Sequence, residues 1–281
     1  MSIKLENVNY IYGKNGPFEK KALKNINLEI GENEFVGIIG HTGSGKSTLI
    51  QLLNGLLKPE NGVVYVDGED INKKGTKIKS IREKVGMVFQ YPEYQLFEET
   101  VYKDIKFGLD NFAYSGDKDL RIKQTAELLD IDENMLEVSP FNLSGGQKRR
   151  VAIAGVLALN PKYLVLDEPA AGLDPYGRNM ILDELYKIHK EKKITVILVS
   201  HSMEDIAKYA QKIVVMNKGE IAMTGKPAEI FSREEELKNI GLDIPEISKI
   251  LNKLRQKGYN IPADVFDVKT AAEILTGEHN V

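Results

Sequence analysis

The hydrophobic and polar positions divide the chain into strand-like and helix-like stretches. Within residues 2–39, apolar side chains first partly alternate with polar ones and then form the continuous apolar stretch 35–39, which is typical of a strand buried on both faces. The stretches 163–166 and 194–199 have the same continuous apolar character. Strands of this kind alternate with helical patterns, which predicts a mainly parallel α/β sheet. The helical patterns cover 46–55, 146–159 and 176–190.

Two other parts of the chain are predicted to be helical. Residues 100–138 contain no strand pattern and indicate a helical insertion, whose full extent we set at about 91–160. After residue 225 a helical stripe begins near Pro245 and ends before Gly258, as helices commonly do. We therefore expect a main domain over 1–225 and a helical C-terminal extension over 226–281. The stripe consists of Ile244, Ile247, Ile250, Leu251 and Leu254.

A glycine-rich turn follows the buried stretch 35–39. It matches the pattern G-x-x-x-x-G-K-[ST] and leads directly into a helical pattern. Glycines let backbone N–H groups converge on phosphate oxygens, and the helix N-terminus adds the positive end of its dipole. The Lys46 ammonium would lie against the β- and γ-phosphates, and the Ser47 hydroxyl would bind Mg²⁺. The predicted nucleotide-binding residues of this segment are Gly40, His41, Thr42, Gly43, Ser44, Gly45, Lys46, Ser47 and Thr48.

Two adjacent carboxylates end the buried stretch 163–166. Asp167 and Glu168 would lie at the carboxyl edge of the sheet, where open α/β sheets bind their ligands. Asp167 can hold Mg²⁺ directly or through water, and Glu168 can act on a water molecule beyond the γ-phosphate. An ordinary solvated turn would have the same composition. The glycine-rich turn elsewhere in the chain favours the catalytic interpretation.

Composition excludes several classes of protein. The 281 residues are 42% hydrophobic and 28% charged, which is the balance of a folded globular protein. Cysteine is absent, so disulfides, thiolate metal sites and a cysteine nucleophile are excluded. A net charge of −3 argues against a nucleic-acid partner held by bulk electrostatics.

The sequence also bears on cellular location. The longest apolar run, Val151 to Leu159, is far shorter than the roughly 18–20 residues that span a bilayer. The first residues lack the apolar core of a signal peptide. We expect a chain that stays in the cytosol and reaches the membrane only through partner proteins.

The segment Leu143-Ser-Gly-Gly-Gln147 completes a set of motifs that identifies a family. With it, residues 1–225 resemble the ATP-binding cassette of ABC transporters. The resemblance implies an α/β fold: a P-loop NTPase core of ABC type, with an antiparallel β subdomain, a helical subdomain and here a short helical C-terminal extension. One departure is Ala170, where many members carry Thr or Ser. In family order, the motifs are Tyr12 (or Tyr10), residues 40–47, Gln90, residues 143–147, Asp167, Glu168, residues 172–174 and His201.

The resemblance implies how these motifs act together. Two cassettes meet head to tail around two ATP molecules, so each nucleotide lies on one subunit's phosphate loop and under the other's signature loop. ATP and Mg²⁺ are the implied cofactors. The signature residues acting in trans are Leu143, Ser144, Gly145, Gly146 and Gln147, and Ser144 would also cap a helix. The other implied roles are catalytic for Glu168, His201 and Gln90, Mg²⁺-binding for Ser47, Gln90 and Asp167, nucleotide-binding for Tyr12, and D-loop contact for Asp174.

Aromatic residues cluster directly after Gln90. Seven of the chain's 21 Tyr and Phe residues lie between Phe89 and Phe112, which indicates either a contact surface or packing of the helical insertion. Residues 90–100 resemble the energy-coupling factor ATPases. Residues 10–12, 17–22 and 144–153 resemble the second of the two paralogues in that group. The seven aromatic residues are Phe89, Tyr91, Tyr94, Phe97, Tyr102, Phe107 and Phe112.

This closer resemblance implies an importer subunit that hydrolyses ATP. Its implied partners are a second ATPase subunit (a paralogue or another copy), a membrane T component and a substrate-binding S component that carries vitamins or transition-metal ions. It would lie peripherally on the cytoplasmic face of the cell membrane. One alternative is a dedicated cobalt or nickel importer ATPase. Another is a soluble ABC ATPase without a transport role, which would show a long coiled coil or a second cassette.

Overall fold

The computed structural model describes residues 2–276, and within them the chain forms ten strands and eleven α-helices. The strands are β1 (Ser2–Tyr12), β2 (Lys20–Gly31), β3 (Phe35–Ile39), β4 (Asn61–Val66), β5 (Glu69–Asp70), β6 (Val85–Val88), β7 (Tyr163–Asp167), β8 (Thr195–Val199), β9 (Lys212–Asn217) and β10 (Glu220–Gly225). The helices are α1 (Lys46–Leu53), α2 (Ile78–Lys84), α3 (Val101–Asn111), α4 (Lys118–Leu128), α5 (Gly145–Leu157), α6 (Pro175–Lys192), α7 (Met203–Tyr209), α8 (Pro227–Phe231), α9 (Glu234–Asn239), α10 (Glu246–Gln256) and α11 (Val268–Thr276).

A six-stranded sheet forms the centre of the molecule, in the order β10-β9-β3-β8-β7-β6. The strands β9, β3, β8, β7 and β6 run parallel to their neighbours, and only β10 pairs antiparallel. Every residue of β3, β6, β7 and β8 is buried, as their continuous apolar sequences predict. Because these four strands are parallel, the loops that follow them all emerge at the same edge of the sheet.

A separate antiparallel sheet contains β2, β1, β4 and β5 in that order. Its strands alternate between buried and exposed positions, since one face packs on the core and the other meets solvent. Ile3 pairs with Ile30 on one side and with Val66 on the other, and all three side chains are buried. The antiparallel β part that the family resemblance implied is confirmed.

Helices fill the segment between β6 and β7. The side chains of Thr100 and Asp117 cap α3 and α4, and α5 packs against α3. In the described chain, residues 100–138 contain no strand, as predicted. None of the described helices combines the length and the apolar character that crossing a bilayer requires.

The helices after β10 differ from the predicted stripe at two positions. Ile244 precedes α10 and packs into the main core, whereas Ile250 is 54% exposed. Leu251 does not join the main core. It packs with Ile261, Val265 and Ala271 of the following segment in a small separate cluster. The predicted extension runs to residue 281, and 277–281 lie outside the described residues. The division at 225 and the bounds of the insertion stay predictions.

A partly buried hydrogen bond ties the two sheets together. The Tyr163 side chain of β7 is fully buried, and its hydroxyl donates to Oδ1 of Asp67 over 2.7 Å. Asp67 lies in the turn between β4 and β5, and its other oxygen accepts from Lys162 over 2.9 Å. Burial raises the pKa of Tyr163, and the bond to Asp67 raises it further.

We predict that Tyr163→Phe lowers the free energy of unfolding by about 1–3 kcal/mol, because a half-buried carboxylate oxygen loses its donor. Urea unfolding followed by circular dichroism measures the change. Tyr259→Phe is the control, since that side chain is 58% exposed, and it should change the free energy by less than about 0.5 kcal/mol. Equal effects of the two substitutions would contradict the prediction.

Candidate active site

The phosphate loop follows β3 and folds around the Lys46 side chain. Lys46 is only 6% exposed, and its Nζ donates to the carbonyl oxygens of Gly40 at 2.7 Å and His41 at 3.2 Å. Burial lowers the pKa of Lys46, while the negative charges of Glu168 and Asp167 oppose that shift. The ammonium therefore lies inside the loop, with both carboxylates near enough to act on it.

Two glycines of this loop stand where no other residue fits. A Cβ on Gly40 would lie 2.4 Å from the carbonyl oxygen of Met216. Gly45 has a φ of 107° and precedes α1, and a Cβ there would lie 2.9 Å from the carbonyl oxygen of Ala22. No side chain caps α1, so the N–H groups at its start are available to an anion.

Tyr12 lies beside the phosphate loop. Its hydroxyl is 3.1 Å from Oγ1 of Thr48, and its ring is 40% exposed and meets the Tyr10 ring edge-on. Tyr12 lines a cleft together with the loop, whereas Tyr10 packs against the core of the β-sheets. The structure therefore favours Tyr12 as the aromatic of the first motif.

The same cleft has three lysines that the motifs did not predict. They lie on β2 and in the β9–β10 turn, so only folding brings them beside the loop. Their positive charge complements a polyphosphate, to which Lys contributes as a point charge. They are Lys20, Lys21 and Lys218.

The remaining loop residues have defined places. The His41 ring lies within hydrogen-bond distance of the Thr42 carbonyl oxygen at 2.8 Å and of Oδ1 of Asn217 at 3.2 Å. Ser44 is fully buried. The Thr42 and Gly43 positions are exposed, and a Cβ on Gly43 would touch nothing. His41 is thus held by the loop and by β9.

Asp167 and Ser47 bring a carboxylate and a hydroxyl together where they could hold a metal ion. Asp167 is 8% exposed at the end of β7. Burial raises its pKa, and a hydrogen bond from Ser47 opposes the shift. Mg²⁺ in nucleotide sites commonly takes one or two protein oxygens, with phosphate and water completing its octahedron. A hydroxyl and a carboxylate side by side fit that ion.

The Glu168 carboxylate contacts two other predicted site residues, His201 and Gln90. Its carboxylate oxygens lie 2.8 Å from Nε2 of His201 and 3.1 Å from Nε2 of Gln90, and the Gln90 amide donates to it. Its backbone adopts a φ of 50°, and its N–H donates to the carbonyl oxygen of Val199 on β8. Three motifs that are far apart in the sequence therefore meet at one carboxylate.

The signature segment starts α5. Ser144 caps the helix in a reciprocal arrangement: its Oγ accepts from the Gln147 N–H, and the Gln147 side chain accepts from the Ser144 N–H. A Cβ on Gly145 or Gly146 would find no atom within 4 Å. Leu143 anchors the segment by packing against the core. The start of α5 is thus rigid and open on one side.

Within the described chain, the signature segment lies apart from the phosphate loop. No hydrogen bond joins residues 143–147 to residues 40–48. Gln147 lines a cleft with α4, whereas Lys46 lines the cleft beside Tyr12. Asp174 caps α6 by accepting from the N–H of Gly177 at 2.9 Å. Ala170, where many family members carry Thr or Ser, packs its small apolar side chain against the core.

Comparison with known proteins places the chain in a family. The family model for ABC transporters matches residues 23–171. The energy-coupling factor transporter ATP-binding protein EcfA2 of Clostridium perfringens is 55% identical, with 98% of this chain and 97% of that protein covered. The chain belongs to the ABC transporter ATP-binding family, among the energy-coupling factor proteins. A second EcfA2, from Caldanaerobacter subterraneus, is 54% identical over the whole of both proteins.

Solved structures agree with this assignment. CbiO1 of Clostridium perfringens, described as part of the ABC transporter complex CbiONQ, has a TM-score of 0.75 and 38% identity, and covers 89% of this chain and 98% of its own. A dimeric ATP-binding cassette in a post-hydrolysis state, bound to ADP and Pi, has a TM-score of 0.71 and 34% identity, and covers 80% of this chain and 98% of its own. The fold, the ATPase activity and the cofactors ATP and Mg²⁺ are confirmed for this ATPase.

We predict that Lys46→Ala abolishes ATP binding, because it removes the only buried cation inside the loop. Titration with a fluorescent ATP analogue measures the affinity. Lys58→Ala is the control: Lys58 lies outside the cleft, so this variant should bind ATP like the wild type. Near wild-type affinity of Lys46→Ala would show that the phosphates bind elsewhere.

We predict that Glu168→Gln lowers ATP turnover roughly 10²- to 10⁴-fold, because the amide keeps the shape but cannot accept a proton. Mg-ATP should still bind and hold an ATPase dimer together, because Ser47 and Asp167 are unchanged. Steady-state ATPase rate and size-exclusion chromatography in Mg-ATP measure both effects. Glu235→Gln, on an exposed position of α9, controls for loss of one negative charge. Turnover above about a tenth of the wild-type rate would exclude Glu168 as the base.

Proposed function

We propose that this ATPase powers an energy-coupling factor importer, which takes up vitamins or transition-metal ions. The conformational change that accompanies ATP binding and hydrolysis would be transmitted to a membrane T component. A separate S component would bind the substrate. The observation that carries the proposal is the 55% identity to an energy-coupling factor protein over nearly the full length of both chains. A shared cassette fold alone would give a match to the cassette, whereas here the C-terminal helices are covered as well.

The site supports a division of roles. Glu168 orients and deprotonates the attacking water, while His201 contacts the γ-phosphate and Gln90 links the site to the membrane partner. Asp167 and Ser47 hold Mg²⁺, which neutralises charge on the phosphates when it is bound. Tyr12 stacks on the nucleotide base.

The second half of the site comes from another subunit. Residues 143–147 and Asp174 lie apart from this chain's own phosphate loop and would act on the nucleotide of a second ATPase subunit. The free space beside Gly145 and Gly146 supports this role, because a phosphate or a partner backbone can approach there. The second subunit is a paralogue or another copy of this chain.

An exposed group of rings gives the membrane partner a docking place. We call Tyr91, Tyr94, Phe97 and Phe107 the aromatic surface. Tyr94 is 83% exposed and Phe97 57%, and the Phe97 and Phe107 rings stack edge-on at 4.8 Å. The other three aromatics of the segment, Phe89, Tyr102 and Phe112, are half-buried and lie outside this surface. Docking here would hold the ATPase at the cytoplasmic face of the membrane.

A dedicated cobalt or nickel importer is the second candidate. It is favoured by the 38% identity to CbiO1, which is described as part of the CbiONQ complex. Both candidates use the same ATPase chemistry and the same docking surface. The identity of the co-purifying membrane proteins distinguishes them.

We predict that replacing both Tyr94 and Phe97 with Ala detaches the ATPase from its membrane partner without loss of ATP binding. Tagged ATPase is purified from detergent-solubilised native membranes, and its partners are identified by mass spectrometry. Phe18→Ala, which removes an 88% exposed ring outside the aromatic surface, is the control. A melting curve and an ATP titration establish that each variant is folded. Unchanged co-purification of the folded double variant would refute this docking surface.

A further inference from the structure

Arg149 joins three segments through one buried guanidinium. It lies on α5, five positions after Ser144, and is 2% exposed. Its Nη2 and Nε donate to the two carboxylate oxygens of Glu93, at 2.7 and 3.1 Å. Its Nη1 donates to the carbonyl oxygen of Ala171 at 2.7 Å. All three nitrogens of the group therefore have partners, on two different loops.

Each of these partners adjoins a functional segment. Glu93 lies in the 3₁₀ helix Pro92–Gln95, which directly follows the Gln90 loop and carries Tyr94 of the aromatic surface. Ala171 lies in the loop that runs from Glu168 to Asp174. Helix α5 itself begins at the signature segment. Arg149 therefore links three segments: the 3₁₀ helix of the aromatic surface, the loop that follows Glu168, and the helix that begins at the signature segment.

We propose that Arg149 is a positioning residue that transmits docking at the aromatic surface to the signature segment and to the loop that ends at Asp174. The inference rests on the proposed function, since it requires a partner on that surface. A shift of the 3₁₀ helix on docking would carry Glu93 with it. Through Arg149, the same shift would move the two segments that act on the partner subunit's nucleotide.

The chemistry of the group suits a rigid connection. A planar guanidinium binds a carboxylate in two parallel hydrogen bonds, which fixes both distance and orientation. A buried charge cannot lose its partner without a large penalty, so the contacts are kept while the segments move. The two loops also lie close together beside this link, since a Cβ built on Gly172 would stand 3.6 Å from the Tyr91 ring.

Neighbouring arginines do not make this connection. Arg150 pairs with Glu184 of α6 at 2.7 Å. Arg121 of α4 donates to the carbonyl oxygens of Leu157 and Ala158, at 2.8 and 2.7 Å, near the end of α5. Arg150 thus ties α5 to α6, and Arg121 ties α4 to the end of α5, and neither contacts Glu93 or Ala171. Arg121 thus provides a matched control, a half-buried arginine that binds the backbone near the other end of α5.

The test uses the complete transporter purified from its native membrane. For each variant we compare ATP turnover in the assembled transporter with turnover of the released ATPase pair, and we measure ATP affinity. Arg149→Met should lower the ratio of assembled to released turnover roughly 10- to 100-fold, the size expected when a distant change misplaces groups of a site. ATP affinity and co-purification should stay at wild-type values. Arg121→Met should leave the ratio unchanged.

Two further variants separate positioning from stability. Arg149→Lys keeps the charge but cannot bind both Glu93 oxygens and Ala171 together, so its ratio should fall between wild type and Arg149→Met. Adding Glu93→Gln to Arg149→Met should lower the ratio no further, since the two residues act as one unit.

Other outcomes would overturn the inference. A wild-type ratio for Arg149→Met does so, and so does an equal fall in assembled and released turnover, which is what a purely structural role produces. If Arg149→Met does not fold, a wild-type ratio for Arg149→Lys overturns it. Failure of the wild-type ATPase to co-purify with membrane proteins would instead refute the proposed function, and is seen before any variant is made.

Discussion

The alignment of four parallel strands is the constraint on which the site depends. β3 pairs with β8, β8 with β7 and β7 with β6, and these strands are completely buried. A slip of one residue in any pair would move its side chains from the core on one face of the sheet to the different core on the other face. Because the register of these strands is fixed, the loops that follow them begin at fixed positions along one edge of the sheet. That edge carries Lys46, Gln90, Glu168 and His201.

The clearest sign of this constraint is the backbone of Glu168. A non-glycine residue with a φ of 50° costs free energy, so the surrounding structure must impose it. The hydrogen bond from its N–H to Val199 extends the pairing of β7 with β8 by one residue. The turn that follows directs the carboxylate of Glu168 to His201 and Gln90, whereas Asp167 stays in the strand beside Ser47. Two adjacent acids therefore serve different ligands.

Sequence patterns predicted the parts of the fold that have strong local signals. β3, β7, β8, α1, α5 and α6 were predicted because buried strands and long helices have continuous or periodic apolar patterns. Sequence patterns did not predict β4, β5, β9, β10 or α2. β4 and β9 are no shorter than the predicted strands, but each pairs with a strand that is distant in the chain, β4 with β1 and β9 with β3. The stripe prediction failed at Ile250 because a small cluster buries only part of an amphipathic helix.

The candidate site was predictable to the extent that its chemistry lies in contiguous motifs. Lys46, Ser47, Asp167 and Glu168 could be proposed from local sequence, because phosphate and Mg²⁺ binding require particular groups at short spacing. The roles of Gln90 and His201 depended on family resemblance, and their contacts with Glu168 appear only after folding. Lys20, Lys21 and Lys218 have no motif at all. Their common cleft results from packing β2 against the β9–β10 turn.

The separation of the signature segment from the phosphate loop explains why other connections in the chain matter. In the proposed dimer, a subunit that completes its partner's site must place Ser144 and Asp174 accurately, although neither contacts its own Lys46. Helix capping fixes each segment locally, at Gln147 and at Gly177. Local caps cannot set the distance between two segments, however, so a contact between them is required. Arg149 makes that contact through Ala171 and extends it through Glu93 to the aromatic surface.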